Sequence, residues 1–291
     1  MIPGHFAYHA PASVEEAINL LGQYGEEASV LAGGHSLLPL MKLRFAEPAH
    51  LIDINRIPEL RGIRERQGVI HIGAMTTESE LIASTLLNEK CPLIPEAARL
   101  IADPQVRNRG TLGGDVANGD PSNDHPAVMM ALEASLVLRS PRGERVVAAN
   151  GFYQGTYLTQ RQADELLTEI RIPIPPARTG QAYCKLKRKT GDYATAAAAV
   201  VLQLDRTRCR KARIALTNVA PTPIRAEAGE GGLTGQEIDE ALIEQAAVKA
   251  MAICDPAEDL RGDAEYRTHM AGEMTRRALR LALQRAQGIS P

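Results

Sequence analysis

Two segments combine residue types suited to holding a phosphorylated ligand. The first is Ala32, Gly33, Gly34, His35 and Ser36, followed by Leu37; the second is Thr111, Leu112, Gly113, Gly114 and Asp115, with Ala117 and Asn118 just beyond. Glycine lets backbone N–H groups turn toward an anion and lets the anion come close. A helix start after such a turn adds N–H groups without intrahelical acceptors and the positive end of the helix dipole. The N–H groups of Gly33, Gly34, His35 and Ser36 can therefore cradle a diphosphate. Thr111, Gly113 and Gly114 can do the same from another side. The Ser36 hydroxyl has two uses, as a donor to that anion or as a cap for the following helix. Neither segment has the spacing G-x-G-x-x-G, and neither carries the G-K-[ST] of a nucleotide-hydrolase loop. Alone, each is an ordinary tight turn. Together they point to one extended ligand gripped from two sides, and a dinucleotide has that shape.

The surrounding pattern supplies elements to position them. Ser13 and Glu16 have capping-box spacing, which predicts a helix over 14–24 ended by Gly25. A strand at 29–31 runs into the first glycine turn, and a short helix over 37–44 follows. Residues 50–54 and 69–74 read as strands. Thr76 or Thr77 caps a helix reaching Ala83, and 93–102 is helical. Residues 103–123, rich in Gly, Asn, Asp and Pro, read as a long ordered loop, a kind that often carries function. Asp124 has two uses, as cap of a helix over 125–133 or as acceptor for ligand hydroxyls. Strands are expected at 135–139 and 166–174.

Residues 174–180, with Pro175, Pro176 and Gly180, mark a linker. We therefore expect one domain over 1–176, with subdomains of about 1–56 and 57–176, and another over 177–291. The second should hold a three-stranded antiparallel sheet (183–189, 196–204, 211–218) and two long helices (236–253, 264–286). Alanines fill 196–199 and are poor strand formers, so a helix there stays an alternative. The class is α+β.

Composition removes several functions. The net charge is -2, and acids and bases are interleaved, so a nucleic-acid partner is not expected. Three Phe, seven Tyr and no Trp make base-stacking platforms scarce. Cys91, Cys184, Cys209 and Cys254 form no C-x-x-C pair and are expected as reduced thiols. The seven histidines form no H-E-x-x-H, so no metal site is expected. No basic-then-apolar stretch opens the chain, and the most apolar run, 194–204, falls short of the ~20 residues that span a bilayer. A soluble cytoplasmic protein is expected, with peripheral docking on a membrane partner left open. No nucleophile–base pair or paired carboxylate suggests a catalytic group of the chain's own.

The two glycine segments, with Ala117 and Asn118, resemble those of the FAD-binding medium subunits of molybdenum hydroxylases, the xanthine dehydrogenase superfamily. The resemblance spans almost the whole chain: Ile2-Pro-Gly, Gly34 to Arg44, Ile101 to Gln105, Lys185 to Lys189 and Gly191 to Ala199. The last two segments are closest to the carbon monoxide dehydrogenase type. The resemblance implies a flavin domain of the vanillyl-alcohol oxidase (PCMH) type in two subdomains plus a C-terminal domain. FAD would be held by Ala32–Leu37, Ile101, Ala102, Thr111–Asp115, Ala117, Asn118 and Asp124, with Tyr193 beside the isoalloxazine. The implied partners are a large molybdopterin-containing subunit and a small [2Fe-2S] subunit, in a dimer of heterotrimers, with electrons leaving to an external acceptor. A lysine near the flavin would favour its anionic reduced form, but for Lys185, Lys187 and Asp192 a solvated strand face is the expectation.

One departure stands out. Position 115 is Asp where the family usually has Asn, and an ionised Asp cannot donate to a phosphate. Asp115 either points away or accepts from a backbone N–H or a ribose hydroxyl, and Asp115→Asn should hold FAD at least as tightly. Two other readings compete: a self-contained FAD oxidoreductase, and a flavin-free scaffold subunit of the same fold.

Overall fold

Residues 2–289 are described in this computed structural model; Met1, Ser290 and Pro291, at the ends of the two expected domains, lie outside the described residues. Strand β1 (Ala7–His9) precedes helix α1 (Val14–Tyr24), which begins where the Glu16 N–H meets the Ser13 hydroxyl at 3.1 Å and ends at Gly25, with φ +50°. Glu16 itself reaches back to the Ala12 N–H rather than that of Ser13. Strand β2 (Ala28–Leu31), helix α2 (Leu37–Leu43) and strand β3 (His50–Asp53) complete a small parallel sheet in the order β1-β3-β2. Val14, Ala17 and Leu21 bury the apolar stripe of α1 with Ile52, Ile54 and Ile57.

A second sheet is antiparallel, in the order β4-β5-β10-β6-β7. Its strands are β4 (Ile63–Arg66), β5 (Val69–Gly73), β6 (Ser135–Ser140), β7 (Gly143–Ala148) and β10 (Leu166–Pro173), with a hairpin of β8 (Tyr153–Gly155) and β9 (Leu158–Thr159) before the last. Between β5 and β6 lie short helices: α3 (Glu78–Ala83), α4 (Thr85–Lys90), α5 (Leu93–Leu100), α6 (Pro104–Arg107), α7 (Leu112–Asn118) and α8 (Asp124–Ala131). Thr77 rather than Thr76 caps α3, in a complete capping box with Glu80. The expected loop at 103–123 is thus corrected: it holds α6 and α7, both capped by side chains, Asp103 to the Val106 N–H and Thr111 to the Gly114 N–H. Helices this short have too few residues for periodicity to show.

The third sheet runs β11 (Thr179–Leu186), β12 (Ala196–Asp205), β13 (Arg208–Thr217) and β14 (Ile224–Arg225), all antiparallel. It has four strands rather than three. Helices α9 (Glu227–Leu233), α10 (Glu240–Met251) and α11 (Ala264–Ala286) follow. The alanine-rich segment is a strand, and its packing explains the alanines. Ala197 and Ala199 pack with α8 in one core, whereas Ala196, Ala198 and Val200 pack with α11 in another. Helices on both faces leave little depth, so small side chains bring the layers close. The closest approach is at Gly180, where an added Cβ would lie 1.8 Å from the Ala282 carbonyl oxygen.

Candidate functional site

The first glycine segment leaves β2 and enters α2. Gly34 has φ +82°, a conformation that favours glycine. Gly33 is required for another reason: a Cβ there would lie 2.3 Å from the Arg109 carbonyl oxygen and 2.8 Å from the Gly110 Cα. The first segment therefore touches Arg109 and Gly110, which lead into the second, and only a missing side chain lets it. Asn55 fixes the turn by donating to the Ala32 carbonyl at 2.8 Å while held by Asp53 at 2.7 Å. Among the described residues, the N–H groups of Gly33, Gly34, His35 and Ser36 meet no acceptor within the chain. Ser36 makes no side-chain cap bond, so its hydroxyl is free for a ligand.

The second segment works differently from the expectation. The N–H groups of Leu112 and Gly113 donate to the Thr76 and Ala74 carbonyls at 3.0 and 2.9 Å. The Gly114 N–H donates to the Thr111 hydroxyl at 3.2 Å. Gly113 and Gly114 thus supply closeness rather than donors. A Cβ on Gly113 would lie 2.5 Å from that of Ala74, so this glycine seats α7 against the end of β5. Leu112 is a further correction, since it is buried in the central core and does not line the cleft. The Thr111 O–H is left to donate, because its oxygen only accepts from Gly114.

Between the segments runs a cleft of about 760 Å³. Its walls include Ala32–Leu37, Ile101, Ala102, Thr111, Gly113–Asp115, Ala117, Asn118, Asp124 and Tyr193. Asn118 lines the cleft, and its side-chain nitrogen is buried without a partner. Ala102 stands at φ +41°, a strained conformation for a non-glycine residue. Cations hold that turn by its carbonyls: Arg107 donates to Ile101 and Ala102 at 2.8 and 3.3 Å, and Lys185 and Lys187 donate to Leu100 at 3.3 and 3.2 Å. Tyr193 is 45% exposed in the cleft, with the Arg261 guanidinium 5.9 Å from its ring centroid.

Several polar roles differ from the expectation. Asp124 is the first residue of α8, not its cap; it accepts from the Tyr183 hydroxyl and from Lys185 at 2.7 Å. Lys185 is no solvated strand residue, since its side chain is 1% exposed, and Asp192 is buried under Arg188 and Arg261. Lys187, half-buried, has its pKa lowered, by burial first and then by Lys185. Asp115 takes one of the two courses left open: its Oδ2 accepts from the His125 backbone N–H at 3.2 Å. Sequence reasoning missed Tyr157, which lines the cleft at φ +58° with its hydroxyl on Asp120 at 3.1 Å, and the buried pair Glu78–His125. A lone Glu and a lone His distant in sequence carry no spacing signal.

Glu78 and His125 meet at 2.7 Å, both buried. Burial presses the imidazole pKa down, but Glu78, Asp115 and Asp124 outweigh it and raise it to about 9. In the unfolded chain it returns to its ordinary 6.5. Folded His125 therefore keeps a proton that the unfolded chain sheds, and this stabilisation is full below 6.5 and lost as pH rises through about 9. Denaturation midpoints of the flavin-free protein should fall across that window; a rise would contradict the assignment. The cysteines are unpaired, and burial pushes the Cys184 and Cys209 thiols up to about 11.

The residues present fit a dinucleotide: unpartnered N–H groups in one turn, an orphaned amide donor, a free hydroxyl and an exposed aromatic belong to residues that line one cleft. Comparison with known proteins agrees. Residues 4–175 match the family described as the FAD binding domain in molybdopterin dehydrogenase, and residues 181–282 match the CO dehydrogenase flavoprotein C-terminal domain. The chain is 59% identical to the carbon monoxide dehydrogenase medium chain of Hydrogenophaga pseudoflava, over 98% of this chain and 99% of that one. It is 54% identical to the medium chain of that enzyme from Afipia carboxidovorans, over 99% and 100%. The solved carbon monoxide dehydrogenase from Hydrogenophaga pseudoflava, in a form lacking the Mo-pyranopterin moiety, matches with a TM-score of 0.97 at 60% identity, over 98% of this chain and 99% of that one. No helix among the described residues is long and apolar enough to cross a membrane. The chain belongs to the FAD-binding oxidoreductase subunits of the molybdopterin dehydrogenases, with the C-terminal domain of the CO dehydrogenase flavoproteins.

Proposed function

We propose that this chain is the flavoprotein medium subunit of a carbon monoxide dehydrogenase-type complex. The observation that carries the reading is the joining of both glycine segments and Tyr193 in one cleft within a chain 59% identical to such a subunit. FAD held there would supply the redox chemistry between the [2Fe-2S] clusters of a small partner subunit and an external acceptor. The chain's own residues hold and shield it. Gly33–Ser36 would offer N–H donors to the diphosphate, Thr111 and Asn118 would offer donors from the second segment, and Tyr193 would shield the flavin. Lys185 and Lys187 place positive charge behind the Ile101–Ala102 turn, which favours electron-rich groups on the cleft side.

In this reading the FAD-binding domain is 1–176, with subdomains of about 1–56 and 57–176, and 177–291 is the C-terminal domain. The partners are a large molybdopterin-containing subunit, where the substrate is oxidised, and the small [2Fe-2S] subunit, in a dimer of heterotrimers. The location is cytoplasmic, and any membrane contact of the complex is peripheral. Purification from a native source tests the assembly. Two co-purifying chains, one carrying [2Fe-2S] clusters and one a molybdopterin, are expected; a lone chain active as a flavoenzyme would overturn it.

A further inference from the structure

Asp115 sits where a bound anion makes its negative charge costly, and the groups around it leave that charge unmatched. The titratable groups that act on it are Glu78 of α3, Asp124 and His125 of α8, Tyr153 of β8, Tyr183 of β11 and Tyr193 beyond, with Lys185 of β11 held on Asp124; β9 and β10, which also pack against α7, add no titratable group that acts on it. Three carboxyls thus face two cations. The cations are already committed, His125 to Glu78 at 2.7 Å and Lys185 to Asp124 at 2.7 Å. Asp115 has only the His125 backbone N–H, on Oδ2; its Oδ1 meets no partner among the described residues, and the residue lines the cleft. The hydroxyl of Tyr153 and the Asn118 amide nitrogen nearby are also buried without partners. No cation in contact is therefore left to balance Asp115.

We infer that Asp115 carries a proton when the dinucleotide is bound, and that its carboxylic O–H serves as a hydrogen-bond donor to the ligand. This rests on the FAD-binding reading above and adds a proton to it. Below about pH 8 the carboxyl already holds this proton in the free protein; above it the proton is taken from solvent on binding, up to one per FAD. Burial, with Glu78 and Asp124 adding to it against His125, already raises the Asp115 pKa to about 8. An anionic ligand in the same cleft raises it further. The neutral carboxyl then resembles an amide in shape and donates as an amide would.

The test is FAD affinity against pH, by fluorescence titration of the flavin-stripped protein with its co-purified chains. The wild type should bind with constant affinity below pH 8 or so, then lose about tenfold per pH unit above it. Asp115→Asn, which cannot ionise, should bind at least as tightly and stay flat across the range. Calorimetry of the wild type at pH 8.5 in two buffers of different ionisation enthalpy should register proton uptake. FAD binding that is flat with pH and takes up no proton overturns the assignment alone, as does loss of flavin in a folded Asp115→Asn. Absence of FAD binding at every pH overturns the flavin reading with it.

Discussion

Replacing Lys185 by Ala is expected to destabilise the protein by about 3–5 kcal/mol, the usual cost of breaking a buried ion pair from one side. The Lys185 and Asp124 side chains are 1% and 5% exposed and meet at 2.7 Å. Removing the ammonium leaves the carboxylate among Glu78 and Asp115 with the Tyr183 hydroxyl as its remaining side-chain hydrogen-bond donor. The Leu100 carbonyl loses a donor too, which loosens the turn that carries Ala102. Denaturant midpoints would register the loss. The double variant Lys185→Met with Asp124→Asn should recover much of it, because both charges then leave together. A single variant within about 1 kcal/mol of the wild type would mean that Asp124 needs no buried partner.

Gly33→Ala should weaken FAD binding by at least about tenfold, since each 1.4 kcal/mol is a factor of ten. The added Cβ would lie 2.3 Å from a backbone oxygen, so no side chain can swing aside. The two glycine segments must separate, and overpacking of this kind costs about 1–3 kcal/mol. Separation moves the N–H groups of one wall away from the donors of the other, so the effect concentrates on the ligand. Gly231→Ala is the control: a Cβ there meets nothing within 4 Å. Equal FAD affinity in Gly33→Ala would show that the contact of Gly33 with Arg109 and Gly110 does not shape the site.

The elements with strong local signals were legible. Ser13 and Thr77 had capping partners at fixed spacing, and α11 runs over its expected residues. The elements missed are those whose signal is tertiary. Helix α7 begins because Thr111 caps it and the Ala74 and Thr76 carbonyls just beyond β5 accept its first N–H groups, so a glycine-rich stretch reads as loop until that turn is in place. The alanines of β12 make sense only once helices cover both faces. Strand β14 has two residues and pairs solely with β13.

The site was legible in outline because glycine pairs leave a mark in sequence. Their separate duties were not. The first pair frees donors, whereas the second seats a helix and has its N–H groups occupied. Nothing in the letters distinguishes these, because the difference lies in which carbonyls stand nearby. Lys185 shows the same limit. Alternation placed it on a strand, but its burial depends on α8 bringing Asp124 across a sequence distance no pattern encodes.

The visible absorption spectrum of the purified protein tests the central claim, that the cleft between the two glycine segments holds FAD. Oxidised-flavin bands should be present, disappear on stripping and return on adding FAD to the wild type, but return weakly or not at all in Gly33→Ala. A wild-type protein that shows no flavin bands, even after FAD is added, would contradict the account.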